Sequence, residues 1–145
     1  MLFVIVGFIS TGIWAQQTPQ ANKVSRTEVP LAVVEAYLSQ NSGGKNDTIW
    51  ERDYITIYKV KYVDENRTYE SQYSSDGKWI KTFTIIGLDE LPLLVMNQVR
   101  TSYPEFTVSK AMIELSSNGK LYAVELLKGK RLVTEYFLMN GKAFK

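Results

Sequence analysis

Two segments with the same order of alternating apolar residues and turn residues indicate how this chain is built. Residues 69–81 predict a strand, an Asp76-Gly77 turn and a second strand. The same order recurs in residues 133–145, with Asn140-Gly141 at the turn, and the two glycines are 141 − 77 = 64 residues apart. Because similar segments at a fixed offset indicate a duplication, the sequence predicts two tandem repeats.

Each repeat is predicted to begin with a helix. Val29-Pro30 precedes an apolar stripe at helical spacing, and Leu91-Pro92 precedes a second stripe that ends at Tyr103-Pro104. The first helix should end at residues 41–44, Asn-Ser-Gly-Gly, where glycine suits a C-terminal cap. The two prolines are 92 − 30 = 62 residues apart, so the second helix repeats the first.

After the first helix the apolar period changes from helical to alternating. Tyr58, Val60 and Tyr62 share one face of a predicted strand, whereas Lys59 and Lys61 share the other. This pattern is typical of a half-buried antiparallel strand.

The offset between the repeats is not constant. Met112 follows Trp50 by 112 − 50 = 62 residues, whereas residues 121–126 follow residues 57–62 by 121 − 57 = 64. Two extra residues near residues 116–119 would explain the change. We therefore expect a longer hairpin loop at that position.

Together these elements predict an α+β fold. One helix with three or four strands cannot bury its own apolar face, but two such units can share a sheet. We expect two tandem α-β-β-β(β) repeats, residues 28–86 and 87–145, forming one antiparallel sheet with two helices packed on one face. The side chains expected beneath the helices are Tyr58, Val60, Tyr62, Tyr69, Tyr73, Tyr122, Val124, Leu126, Val133 and Phe137.

The N-terminal residues 1–15 are apolar but interrupted by Gly7, Ser10 and Gly12. They are too short to span a bilayer stably, and the change to polar residues after Ala15 is typical of a signal peptide. A buried N-terminal strand is the alternative. Residues 16–27 are polar and predict a flexible leader. We therefore expect export, with no stable membrane insertion after signal cleavage.

Composition excludes several classes of function. The chain has no cysteine and no histidine, which removes disulfides, thiolate nucleophiles and the commonest general base and transition-metal ligand. The formal net charge is +2 and the 17 lysines and arginines are scattered, so nucleic acid is not an expected partner. An exported chain without cysteine favours a bacterial periplasm or secretion from a bacterium.

No motif predicts catalysis, a cofactor or a metal. The carboxylates form no paired constellation, the glycines follow no phosphate-loop spacing, and the acidic turns lack the ligand order of a calcium loop. Glu135 shares the inward face with Val133 and Phe137. It is either a functional carboxyl group with a raised pKa or, as the alternative, a residue at a bulge or edge that has a partner.

The ordered set of these features resembles one family. The Leu91-Pro92 helix start, the Tyr103-Pro104 helix end, the Tyr58-x-Val60-x-Tyr62 strand and the paired Asp/Asn-Gly-Lys hairpins resemble the secreted PepSY-like, or beta-lactamase-inhibitor-like, family. The resemblance covers residues 28–145. It implies a small periplasmic protein with two repeats, a sheet that can face a partner, and no established catalytic residues.

One row on the predicted open sheet face suggests a binding surface. Leu132, Thr134, Tyr136 and Leu138 point away from the helices, and the corresponding residues of the first repeat, including Glu70 and Gln72, are polar. We therefore expect an apolar patch in the C-terminal half. Its charged rim would consist of Lys59, Lys61 and Glu125. A dimer contact, or a covering by the leader, is the alternative.

These features predict an exported, non-catalytic protein-binding module that inhibits or modulates an enzyme of the cell envelope. The alternative is a periplasmic module that binds a small ligand, a peptide or a lipid, between sheet and helices. A cavity between the helices and the sheet would favour the ligand, whereas a packed interior with an exposed apolar sheet face would favour a protein.

Overall fold

The chain folds into an antiparallel sheet with two helices. The computed structural model describes residues 22–42, 44–45, 48–53 and 56–144, and the predicted signal peptide lies outside these residues. Their elements in chain order are β1 Asn22–Val24, α1 Leu31–Gln40, β2 Ile49–Arg52, β3 Ile57–Asp64, β4 Arg67–Ser74, β5 Trp79–Ile86, α2 Leu93–Ser102, β6 Thr107–Ser116, β7 Gly119–Lys128 and β8 Arg131–Phe137. Each strand pairs antiparallel with the next, so β1 and β8 form the two edges.

Both helices lie on one face of the sheet, as predicted. Val33 of α1 is buried in a first core with Val60 of β3, and Val95 of α2 is buried in a second core with Val124 of β7. The residues predicted to lie beneath the helices all belong to these cores, although Tyr69 and Val133 are half-buried rather than buried. The α+β fold with two repeats is confirmed.

A 3-10 turn followed by a proline sets the start of each helix. The turns are Arg26–Glu28 and Leu88–Glu90. The carboxylate of Glu28 accepts the backbone N–H of Ser25 at 2.8 Å, and Glu90 makes the equivalent bond at 3.0 Å. The prolines that follow occupy the N-cap positions with φ of −53° and −55°, values that the proline ring already favours.

The second repeat copies the first up to its last strand. In the first repeat, Tyr73 of β4 pairs with Trp79 at the start of β5. In the second repeat, Phe137 of β8 pairs with Ala143 in an isolated bridge, and both residues lie 64 positions later (137 − 73 and 143 − 79). Within the described residues, a single bridge therefore stands where the first repeat has the whole of β5.

The two predicted hairpin turns pack against the first turns of the helices. Gly77 and Gly141 have φ of +84° and +82°. A Cβ at Gly77 would lie 2.5 Å from the carbonyl oxygen of Ala32, and a Cβ at Gly141 would lie 2.6 Å from that of Leu94. Turn and helix thus touch through their backbones, and only glycine fits at this contact.

The described part of the predicted flexible leader has regular structure. Asn22–Val24 forms the edge strand β1, in which Val24 lies opposite Trp50 of β2. Val24 also packs partly buried against the first core. A strand of three residues is too short to show an alternating pattern, which is why the polar composition of this segment was misleading.

The register corrects two details of the predicted repeat alignment. Trp50 pairs with Val60, and the residue that pairs with Val124 in the second repeat is Ala111, so Met112 is not the counterpart of Trp50. The extra residues also do not form a longer loop. They lengthen β6 and β7 to 10 residues each, and the pair Ser116–Gly119 closes a tight turn.

Candidate functional site

A groove crosses the sheet on the face opposite to the helices. Because side chains alternate along a strand, every strand from β3 to β8 contributes to this face. The groove has a volume of about 420 Å³, and we call it the central groove. Its lining residues are Lys61, Thr68, Tyr69, Glu70, Phe83, Ile85, Lys110, Met112, Glu125, Thr134 and Tyr136.

The floor of the central groove is an apolar row in register across four strands. Ile85 of β5 pairs with Met112 of β6, which pairs with Ala123 of β7, which pairs with Tyr136 of β8. Ala123 is fully buried and has the smallest side chain of the row, so the floor is lowest between Met112 and Tyr136. Phe83 lies two residues before Ile85 on the same strand face and widens the row.

Ion pairs between lysines and glutamates border this apolar row. Lys61 Nζ lies 2.9 Å from a carboxylate oxygen of Glu51 and 3.8 Å from one of Glu70. On the other side, Lys110 Nζ lies 3.9 Å from Glu125. Burial alone would lower the pKa of Lys61, but its hydrogen bonds to Glu51 and Glu70 and their charges raise that pKa. Lys61 therefore stays charged at neutral pH.

A further pair lies beside Phe83. Glu114 is 6% exposed and its carboxylate accepts a hydrogen bond from Lys81 Nζ at 3.1 Å. The same ammonium group lies 4.9 Å from the centroid of the Phe83 ring. Because a buried carboxylate without a cation would be costly, Lys81 stabilises Glu114 and also fixes one wall near the groove.

Tyr136 brings a hydrogen-bonding group to the apolar row. Burial raises the pKa of its phenol, Lys81 lowers it, and the charges of Glu114 and Glu125 raise it again. The net shift is upward, so the hydroxyl keeps its proton at neutral pH. A side chain with an apolar ring and a neutral hydroxyl suits a surface that contacts protein.

The structure brings four of the seven predicted site residues together in the central groove. Lys61, Glu125, Thr134 and Tyr136 line it. The other three lie on the same sheet face but outside the groove lining. They are Leu132, which is exposed, Leu138, which is half-buried, and Lys59. In the strand register Lys59 lies opposite Glu51 of β2 and Gln72 of β4.

Sequence reasoning missed the contribution of the first repeat. The apolar row is not confined to the C-terminal half, because Phe83 and Ile85 of β5 form one end of it and Met112 of β6 lies at its centre. The alternation of Phe83 and Ile85 with Thr82 and Thr84 carried this signal. The comparison between repeats did not detect it, because the counterpart of β8 is β4, whose residues on this face are polar, and not β5.

Glu135 faces the helices, as the alternation predicted, and pairs with Val124 of β7. It lies beside Tyr103, which follows α2. Burial, together with a hydrogen bond to Glu135 and the charge of that carboxylate, raises the pKa of the Tyr103 hydroxyl. Glu135 thus has a partner at the sheet edge, which agrees with the second interpretation of this residue, an edge carboxyl group that has a partner, rather than with a functional group.

A second cavity, of about 620 Å³, lies at the β1 edge of the sheet. Lys23, Ser25, Lys45 and Trp50 are among its lining residues. Its lining includes Gly44, Lys45 and Thr48, which stand next to gaps in the described ranges of the sequence, so we do not include it in the candidate site.

The described residues hold no group of three or more acidic side chains that could bind a metal ion. Among the same residues, neither helix has the length and apolar character needed to cross a membrane.

Comparison with known families gives one match of sequence. The sequence model of the beta-lactamase-inhibitor-like, PepSY-like family matches residues 5–81 and again residues 56–143. The two matches agree with an internal duplication. No curated protein sequence matches the chain significantly.

Solved structures with the same fold come from Bacteroides. A protein of Bacteroides eggerthii DSM 20697 with a provisional periplasmic designation is 18% identical, with a TM-score of 0.69 over 81% of this chain and 86% of that one. A DUF2874 family protein of Bacteroides ovatus ATCC 8483 is 16% identical, with a TM-score of 0.68 over 80% and 84%. A BLIP-like protein of Bacteroides fragilis NCTC 9343 is 20% identical, with a TM-score of 0.63 over 79% and 82%.

Proposed function

The chain belongs to the beta-lactamase-inhibitor-like, PepSY-like family, and we propose that it is an exported, non-catalytic module that binds another protein through the central groove. The partner would be an envelope enzyme that the module inhibits or modulates. The periplasmic designation of a structural neighbour and the apolar residues 1–15 support export, with residues 1–15 acting as a signal peptide.

The apolar row in the central groove is the observation that carries this proposal. Ile85 is 40% exposed, and the row that it begins continues to Tyr136 without a charged residue. An apolar centre that contains an aromatic residue and has a polar rim is the usual arrangement of a protein interface. The 420 Å³ of the groove would accept one or two side chains of an inserting loop.

The packing between helices and sheet favours a protein over a small ligand held there. Val33 and Val95, which lie in the first turns of the two helices, are both 0% exposed, as are Val60 and Val124 beneath them. Buried side chains of the two cores fill the space directly beneath the helices, where the alternative function would place a peptide or lipid. Two open clefts remain on the helix side, one of about 410 Å³ at the end of α1 and one of about 480 Å³ along α2. Exposed leucines on the helix side, such as Leu31 and Leu93, lie on the solvent-facing surface of the helices and not between the helices and the sheet.

The charges of the rim indicate what kind of partner surface fits. Each glutamate of the rim has a lysine within 4 Å, at distances from 2.9 Å for Glu51 to 3.9 Å for Glu125. A rim of paired charges neither attracts nor repels strongly at long range. We therefore expect a partner that inserts an apolar or aromatic side chain, and an association rate that depends little on salt.

These pairs also support a non-catalytic role. The carboxylates that border the groove each lie within 4 Å of an ammonium group, as Glu114 lies 3.1 Å from Lys81, and a carboxylate held in an ion pair is a weaker candidate for a catalytic acid or base.

We expect Ile85→Glu to weaken partner binding at least about thirtyfold. The substitution places a negative charge in the uncharged apolar row, and truncation or charging of a central interface residue commonly costs about 2 kcal/mol or more. The measurement is affinity capture from an envelope extract with the wild-type protein, followed by titration of the captured partner against each variant.

Leu93→Glu is the matched control. Leu93 lies on α2, on the opposite side of the molecule, and is 72% exposed, so the same change in charge should leave partner binding unchanged. Circular dichroism should show that both variants keep the fold. Equal binding by wild type and Ile85→Glu would refute the proposal, and a co-purifying peptide or lipid without a protein partner would favour the ligand function.

A further inference from the structure

The free edge of β8 has a pattern that fits a second copy of itself. We propose that two copies of this chain associate through antiparallel pairing of their β8 strands around a two-fold axis at Val133. This proposal does not use the apolar row of the central groove. It depends on the backbone edge of β8, to which the groove residue Thr134 contributes only its backbone groups, and on side chains of the helix face.

The C-terminal residues show which backbone groups of β8 face outward. The N–H of Phe144 donates to the carbonyl oxygen of Tyr136 at 2.8 Å, so this carbonyl points away from β7. Backbone groups alternate in direction along an antiparallel strand. Thr134 and Leu132 therefore also direct their N–H and C=O groups to the free edge, whereas Val133 and Glu135 direct theirs to β7.

The same contact restricts the register of any added strand. Phe137 is already bridged to Ala143, and the carbonyl of Tyr136 is already bonded to Phe144, so the edge is open only from residue 131 to residue 135. A strand that uses both outward-facing residues of this segment must be centred on Val133. This centre makes Leu132 and Thr134 the hydrogen-bonded pair across the axis.

This register makes β8 complementary to itself. With Val133 opposite Val133 of the second copy, Arg131 of each copy lies directly opposite Glu135 of the other. The two opposite-charge pairs are related by the two-fold axis, as an isologous interface requires. Arg131 is exposed, and Glu135 is half-buried with one hydrogen bond from Tyr103, so its carboxylate keeps capacity to accept a bond from Arg131 of the other copy.

The edge lacks two of the usual protections against pairing, and the proposed register compensates the third. Natural edge strands commonly avoid association through proline, a bulge or inward-pointing charged residues. Arg131 and Glu135 are charged and share the helix-facing side of β8, but in this register each lies opposite the other's charge in the second copy. The segment 131–135 reads Arg-Leu-Val-Thr-Glu and its register with β7 is unbroken. By contrast, the other edge of the sheet, β1, has only three residues.

The place beside β8 that the second copy would occupy corresponds to the place of β5 in the first repeat. In that repeat, β5 lies along β4 and continues the sheet into the second repeat. In the second repeat, β8 is the counterpart of β4, and only Ala143 bridges to it among the described residues. The second copy would thus add β8 where the first repeat has β5.

Sedimentation velocity of the purified protein, from about 10 μM to about 1 mM, tests the association, since a ladder of this size is a small interface. We expect a monomer–dimer equilibrium in this range and monomer only for Thr134→Pro. Proline removes the central outward N–H and is tolerated at an edge strand. A wild-type monomer at every concentration, or a dimer that survives Thr134→Pro, would overturn the proposal.

A charge exchange provides a test that does not depend on proline. Arg131→Glu places like charges opposite each other twice, so the dimer dissociation constant should rise about tenfold. The double variant Arg131→Glu/Glu135→Arg restores both pairs and should return the constant to within about threefold of wild type. Failure of the double variant to recover would also contradict the proposed register.

Amide hydrogen exchange locates the contact. Exchange at Leu132 and Thr134 should slow as protein concentration rises, whereas exchange at other exposed amides should not change. Protection of these amides only after a different protein is added would assign the edge to a foreign strand and would overturn the proposal of a second copy. The groove variant Ile85→Glu should still dimerise, which separates this result from the proposed function.

Discussion

At the scale of single residues, the two cores differ in their polar content although they derive from the same pattern. Tyr73 of β4 is 0% exposed and donates a hydrogen bond to Oε1 of Gln40 at 2.9 Å. Its counterpart Phe137 has no such group. Burial, which outweighs a hydrogen bond to Ser71, raises the pKa of the Tyr73 hydroxyl to about 12.

This raised pKa predicts a loss of stability at alkaline pH. The unfolded state loses the proton of Tyr73 above its ordinary pKa of about 10, whereas the folded state keeps it up to about 12, so stability falls as pH rises through this window. The loss due to Tyr73 should reach about 2 kcal/mol. Urea unfolding at a series of pH values measures it.

Tyr73→Phe isolates this effect from the other tyrosines. At neutral pH the variant should be about 1 kcal/mol less stable, because it lacks the hydrogen bond to Gln40. Between pH 10 and 12 the difference should shrink and then change sign, since phenylalanine has no proton to lose. Parallel stability curves for the two proteins would contradict the assignment.

Sequence patterns predict inward residues better than the members of a surface groove. The alternation alone placed Tyr58, Val60 and Phe137 beneath the helices, because a one-residue shift would expose the whole set. The groove depends instead on which strands lie side by side. Met112 and Ala123 can be assigned to the apolar row only from the strand register, which places them between Ile85 and Tyr136.

At the scale of elements, each hairpin turn is attached to the helix of its own repeat. The attachment requires glycine for two reasons, a positive φ and a backbone oxygen within 2.5 Å of where a Cβ would stand at Gly77. The dipeptides Asp-Gly and Asn-Gly predicted the turns from the first reason alone. The sequence carries no sign of the second, since the contact joins residues far apart in the chain.

Gly77→Ala should therefore destabilise the protein more than the same substitution at a glycine that has a positive φ but no atom close to its Cβ position. Gly119 has φ of +93°, and no atom lies within 4 Å of where its Cβ would stand, so Gly119→Ala should cost about 1 kcal/mol. Gly77→Ala should cost at least about 1 kcal/mol more, because the Ala32 carbonyl must move. Chemical denaturation measures both. Equal losses would show that the turn does not depend on this contact.

The leader shows why short edge elements are hard to predict. Asn22 and Lys23 are exposed polar residues, and only Val24 reaches the first core, so hydrophobic periodicity cannot identify β1. Its order comes from backbone pairing with β2. A backbone ladder is possible for almost any sequence, and its partner decides whether it forms.

At the scale of the whole molecule, the β5–β6 ladder makes the repeats parts of one sheet. Six residue pairs, from Lys81–Ser116 to Ile86–Ala111, join them. Unfolding either repeat alone would expose this ladder and the apolar row above it. We therefore expect the two repeats to unfold together.

Phe137→Ala tests this cooperation. Phe137 is 1% exposed in the second core, and its truncation should cost about 3 to 5 kcal/mol. The three tryptophans, Trp14, Trp50 and Trp79, all precede the second repeat. The thermal midpoint seen by tryptophan fluorescence should nevertheless fall together with the midpoint seen by circular dichroism. A fluorescence midpoint that stays unchanged would show that the repeats unfold independently.

The strand order has a consequence for how the protein can form. Among the described strands, each after β1 pairs with the one that precedes it in the chain, and none lies between two earlier ones. Each new strand can therefore pair with a strand that is already formed. The sheet can assemble from the N-terminus to the C-terminus as the chain emerges from a ribosome or a translocation channel. A nascent chain halted after β5 would already contain α1 and every strand that borders the first core, and it would lack only the β5–β6 ladder that joins this core to the second repeat.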